Sequence, residues 1–167
     1  MQRILPDSVL LVLLDIKEDT VGTNFYWLGE PPCPTCGHVN EEVKKHIGKS
    51  SGGWVFALHV YPEESIHDLP DWKDRWNRGE IVDEYGAPIS PQAMEECITQ
   101  RSWSNPAFLG YTSEAEFHRL NFSEPGPNGL VRYRVQSGIC VVRYRVKSGI
   151  CVDHGAGTWD LCVGDFS

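Results

Sequence analysis

Residues 131–141 (VRYRVQSGICV) and 142–152 (VRYRVKSGICV) abut directly and differ only at Gln136 and Lys147. A repeat this faithful is a tandem duplication, and two copies fall short of the three or more units that a solenoid needs. The duplication therefore sits inside an ordinary domain. Val-Arg-Tyr-Arg-Val alternates apolar and polar residues, the pattern of a half-buried strand. Val131, Tyr133 and Val135 would face inward, and Arg132 and Arg134 outward. Eleven is odd, whereas strand side chains repeat every two residues, so the extra copy cannot slide into one strand without exchanging its faces. The expected arrangement is an added hairpin, with strands over 131–135, 139–146 and 149–153. The alternative is that the second copy displaces the first, which becomes a loop. A basic strand with interleaved tyrosine also suits a nucleic-acid surface, but a solvated arginine face is the simpler reading.

The chain has 167 residues, which fits one globular domain. A domain of this size buries roughly 70% of its unfolded surface and needs no disulfide staples. Eighteen aromatic residues, six each of Trp, Tyr and Phe, rule out a disordered chain. The longest apolar run covers 9–14, far below the roughly 18 residues of a membrane span. No signal-peptide pattern is seen, so a cytoplasmic location is the expectation. The net charge of −8 argues against general affinity for nucleic acid or anionic membrane. A single-copy chain would have 156 residues and a charge of −11, because the second copy carries three basic residues and no acidic ones. That balance favours a basic protein partner. Without secretion, the six cysteines read as thiols or metal ligands.

Strands are expected over 9–15, 24–28, 54–61, 81–85 and 158–163, and a short helix over 40–46. Residues 48–53 (GKSSGG) read as a flexible loop and 122–130 (FSEPGPNGL) as a turn-rich one. A helix is expected over 69–78, with Trp72 and Trp76 on one face and a cap from Asp71 or the preceding turn. Ser90 and Pro91 open a helix to about Arg101, striped by Met94, Cys97 and Ile98. Ser113 and Glu116 form a capping box for a third, to about Asn121. The irregular alternation points to a single α+β domain over 1–167, mainly an antiparallel sheet with two or three short helices.

The strongest chemical signal is Cys33-Pro34-Thr35-Cys36-Gly37-His38. Two thiolates at this spacing wrap one zinc, and the glycine eases a tight, zinc-knuckle-like turn. A structural zinc wants four ligands, and there is no second CxxC. His46 and His59 complete a Cys33, Cys36, His46, His59 set within a metal-binding segment 33–59, with His46 ending the short helix and His59 on the strand. His38 competes as a ligand. A redox cysteine pair and a core histidine at position 59 remain open. Enzyme signatures fail: no His precedes the cysteine pair as a zinc deaminase requires, Val43 stands where a P-loop needs glycine, and neither H-E-x-x-H nor G-x-S-x-G occurs. Asp153-His154, near Asp160 and Asp165, is a lesser candidate for a hydrolytic metal centre.

The string HIGKSSGGW at 46–54, with Leu58-His59 on the next strand and Asp71-Trp72, Asp83-Glu84-Tyr85-Gly86 and Ile89-Ser90 downstream, resembles a group of small proteins of tailed bacteriophages and prophages. The resemblance covers roughly residues 26–101, and no activity comes with the group. It implies a virus-encoded accessory protein in the host bacterial cytoplasm. Combined with the zinc ligands and the missing catalytic motifs, it gives the expectation of a zinc-stabilised protein that binds a host protein, as an inhibitor of a bacterial defence or housekeeping system. The alternative is a small zinc-dependent enzyme acting on a nucleotide or nucleic acid, with Lys49, Ser50 and Ser51 lining its pocket.

Overall fold

The computed structural model describes residues 22–31, 33–37, 44–103, 110–135 and 150–164. The strands in chain order are β1 (Thr23–Trp27), β2 (Lys45–Ser50), β3 (Phe56–His59), β4 (Ile81–Asp83), β5 (Pro88–Ile89), β6 (Ser123–Pro125), β7 (Val131–Tyr133), β8 (Cys151–His154) and β9 (Trp159–Cys162). The helices are α1 (Leu69–Trp76), α2 (Pro91–Thr99) and α3 (Glu114–Leu120). Seven strands form one sheet in the order β5-β4-β1-β2-β3-β9-β8, and β6 pairs with β7 separately. Neighbours in the large sheet run antiparallel except β3 and β9, which are parallel. The architecture is α+β, as expected.

Period-two alternation divides the sheet's residues. Phe25 and Trp27, Ile47, and Phe56 and Leu58 join Trp72 and Trp76 of α1 and Met94 and Ile98 of α2 in the main core. Both helices start where local chemistry dictates. Asp68 caps α1 through a capping box with Asp71, and the Ser90 hydroxyl accepts from the Ala93 amide, with Pro91 in the first turn of α2. A second buried group surrounds Val55, where the Val55 amide donates to the Val131 carbonyl and the Val131 amide to that of Gly53, each at 2.8 Å. Trp54 closes it against Tyr133 and Phe117, ring centroids 5.0 and 6.1 Å away. Among the described residues no helix is long and apolar enough to cross a membrane.

Three expectations change. Residues 48–50 are not loop but strand, and His46 lies in the same strand rather than ending a helix. Glycine and serine composition suggested a loop, but β2 is held between β1 and β3, and its close contacts require Gly48. A Cβ there would lie 2.1 Å from the Ala57 carbonyl oxygen and 2.4 Å from the Phe56 ring. Gly48→Ala should therefore cost roughly 1–3 kcal/mol or more, read as a lower urea midpoint; an unchanged midpoint would refute the contact. The turn after β2 is clamped rather than loose, since Arg101 donates to the Ser50 hydroxyl (2.6 Å) and to the carbonyls of Ser51 (2.8 Å) and Trp54 (3.2 Å). Second, the stretch over 122–130 contributes β6. Third, Arg132 does not face solvent. It pairs with the fully buried Asp160, because what would be the outer face of β7 is covered by β9. In α3 the Glu116 carboxylate returns to the Thr112 amide and hydroxyl, both at 2.7 Å, which holds it below the usual carboxylate range.

The expected strand over 9–15, residues 40–43 of the expected helix, and residues 136–149 of the duplication lie outside the described residues. What is described is informative: β7 comes from the first copy and β8 begins in the second. Residues 131–135 and 150–152 together supply the strand-forming ends of one copy.

Candidate metal centre

On a regular strand, residues three apart point to opposite faces. Cys151 and His154 share a face because of a β-bulge. Cys151 stands opposite Cys162 and His154 opposite Asp160, two residues apart on β9, and the register shifts between Cys151 and Asp153. Val152 is the extra residue and stands 47% exposed. The bulge thus gathers one ligand atom each from Cys151, His154 and Asp160, all within 4.8 Å of one another. Among the described residues this is the grouping of three or more metal-binding side chains at such distances.

Asp160 has 0% exposure and is held on all sides. Its Oδ1 accepts from Arg132 Nε (2.9 Å) and lies 2.7 Å from His154 Nδ1; its Oδ2 accepts from the Tyr133 amide (2.9 Å). Burial pushes its carboxyl above the ordinary range, while the Tyr133 amide, Arg132 and His154 pull it down. The Arg132 guanidinium also donates to the carbonyls of Gly157 and Trp159. Burial also pushes the Tyr133 phenol up to about 12. The second imidazole nitrogen, Nε2, lies 2.8 Å from Glu124 Oε1 on β6. An imidazole placed between two carboxylates either donates from both nitrogens or donates to one and presents the other to a cation. Glu124 is suited to the second case: a carboxylate that takes Nε2–H orients the ring and leaves Nδ1 as the metal-binding nitrogen.

The four ligands expected from the sequence are seen as two pairs. Cys33 and Cys36 are exposed in a turn closed by the Gly37 amide donating to the Cys33 carbonyl at 2.8 Å, with Gly37 at φ 68°. The backbone amides of Cys36 and Thr35, and then the Cys36 side chain, draw the Cys33 thiol below its ordinary value. His46 and His59 meet with Nδ1 atoms 3.2 Å apart. Glu84 takes a hydrogen bond from the Asn24 amide nitrogen (3.0 Å), which turns the Asn24 oxygen to His46 Nε2 (3.1 Å). His59 Nδ1 also lies 3.2 Å from the Tyr61 hydroxyl. Tyr61 stacks on His59 and donates to the His46 carbonyl (3.1 Å). These residues, with Tyr26, Glu63 and Val163, line an open cleft of about 530 Å³. His38 lies outside the described residues.

The sequence singles out His154 and Asp160 but not Cys151, which stands at the same repeat position as Cys140. The C-x-x-H spacing of Cys151-Val152-Asp153-His154 was the available signal, and only the bulge turns it into a shared face. No protein-family model, curated protein or solved structure matches the chain.

Proposed function

We propose that this is a zinc-stabilised binding protein, in which one ion held by Cys151, His154 and Asp160 ties β8 to β9 and the fold so fixed docks on another protein. The observation that carries the metal is the three-ligand cluster with Glu124 behind His154. Thiolate, imidazole and carboxylate together suit zinc. The docking face is the β5 edge of the sheet. There Tyr85 stands 81% exposed, and Leu28, Pro31, Pro88 and Ile89 line a groove together with Glu30 and Glu80. Arg78 also lines the groove and pairs with Glu30 at 3.0 Å; the apolar floor with Glu80 beside it suits a basic segment of a partner protein, and a phage-encoded chain would find that partner in its bacterial host.

Protein purified without added metal and then loaded should hold about one zinc per chain. At a hundredfold excess over Kd, zinc stabilises by about 2.7 kcal/mol, or roughly 5–10 °C in melting temperature. Cys151→Ser should lose both effects; full zinc in that variant would sink the ligand assignment. A bacterial protein captured by the wild type but not by a Tyr85→Ala, Glu80→Lys variant would support the docking face, and capture by both would overturn it. The ligand count favours a second reading, because three protein ligands leave a tetrahedral ion one position for water. Turnover of a nucleotide that requires zinc and fails in Cys151→Ser would select a small zinc enzyme instead.

A further inference from the structure

We propose that Cys151 and Cys162 form a redox-active dithiol, which a hydroperoxide oxidises to an intramolecular disulfide and a thiol reductant restores. The two residues face each other directly across β8 and β9, and both thiols are free. The Val163 amide donates to the Ile150 carbonyl at 2.7 Å. In an antiparallel ladder that bond flanks Cys151 and Cys162 as a non-hydrogen-bonded pair, the type with Cα atoms about 4.5 Å apart. That spacing falls inside the roughly 4.4–6.8 Å range that a disulfide spans. In the reduced protein each thiol meets a backbone carbonyl, Cys151 Sγ that of Asp153 at 3.4 Å and Cys162 Sγ that of Asp160 at 3.9 Å.

Exposure assigns the order of events. Cys151 is partly exposed, whereas Cys162 is fully buried. The oxidant therefore reaches Cys151, whose sulfur attacks the peroxide and breaks the O–O bond, giving a sulfenic acid and an alcohol, or water from hydrogen peroxide. Cys162 sulfur then displaces the hydroxyl, which leaves as water with the Cys162 proton. Two thiols and one hydroperoxide become one disulfide, one alcohol and one water, with two electrons passing to the peroxide. Cys162 acts as the resolving thiol that spares Cys151 from irreversible oxidation. One consequence rests on the metal reading above: the disulfide removes Cys151 from the ion, so oxidation releases zinc.

The test treats the folded, full-length protein with hydrogen peroxide, alkylates the remaining thiols and digests with trypsin. Cleavage after Lys147 leaves residues 148–167 as one peptide that holds both Cys151 and Cys162, while Cys140 falls in 135–143. The expected peptide is unalkylated and two hydrogens lighter than its reduced form, and dithiothreitol restores both alkylation sites. In Cys162→Ala, Cys151 should proceed to sulfinic acid. Recovery of 148–167 alkylated at both cysteines, or of Cys162 joined to the 135–143 peptide, would overturn the proposal. A zinc-loaded sample read with a chromogenic chelator separates the two readings. A disulfide in protein that never takes up zinc sinks the metal site alone, and zinc loss without the 148–167 disulfide sinks the dithiol.

Discussion

Asp160→Ala should destabilise the fold by roughly 3–5 kcal/mol, because it strands a charge in a site built around its partner. Arg132 is only 14% exposed, and its charge is balanced at close range by this carboxylate. Alanine also leaves the Tyr133 amide without its acceptor and removes the carboxylate beside His154 Nδ1. Against a typical domain stability of about 5–15 kcal/mol, the loss is large enough to unfold a marginal protein. Urea unfolding followed by tryptophan fluorescence reads it directly, and a loss under about 1 kcal/mol would show that the network carries no weight. The paired replacement Arg132→Leu with Asp160→Leu removes the stranded charge and should recover part of the stability, though the Tyr133 amide and the Gly157 carbonyl still lose their partners. Acid is not equivalent to alanine here. Burial raises the Asp160 carboxyl, so the folded chain holds its proton more tightly than the unfolded one. This group's own contribution is therefore fullest in acid and falls away as pH rises from the ordinary carboxylate range through the raised value. Acid unfolding of this protein should be driven by other carboxylates.

Trp72→Ala should cost a similar amount, roughly 3–5 kcal/mol, by opening a cavity in the main core. The indole is fully buried on α1, and its Nε1–H donates to the His59 carbonyl at 2.7 Å. It therefore ties α1 to the end of β3, the strand end that carries one wall of the histidine cleft. Trp72→Phe keeps an aromatic ring but removes the hydrogen bond and part of the indole volume; the carbonyl loses its donor, and the expected loss is about 1–3 kcal/mol. Imidazole resonances of His46 and His59 followed by NMR should shift in both variants. If they stay in place while stability falls, the helix does not position the cleft.

The helices were legible because their starts are written locally. Ser90 with Pro91, and Ser113 with Glu116, name their caps within four residues, and α2 and α3 begin there. β2 was not legible. His46-Ile47-Gly48-Lys49-Ser50 has little intrinsic strand character, and its conformation is set by the neighbours that hydrogen-bond to it from both sides. The alternation of Arg132 was read correctly, but what covers its face was not, because the covering strand β9 lies almost thirty residues along the chain. The same limit hid the candidate metal centre. Cys151 and His154 are on the wrong phase for a straight strand, and a bulge is a property of the pairing, with no mark in either strand alone. The cysteine pair at 33 and 36 was conspicuous for the opposite reason, since its turn closes on itself.

That β7 starts in one copy and β8 in the next has a practical meaning. The beginning of the first copy supplies β7, which pairs with β6, and the end of the second supplies the start of β8, which pairs with β9. A fluorescent reporter or an affinity tag grafted between Val135 and Ile150 would leave the residues of the β6–β7 and β8–β9 pairings unchanged. The redundant sequence also gives the chain spare genetic material, in which Arg143, Tyr144 and Cys140 can drift towards new roles while Arg132, Tyr133 and Cys151 keep the old ones.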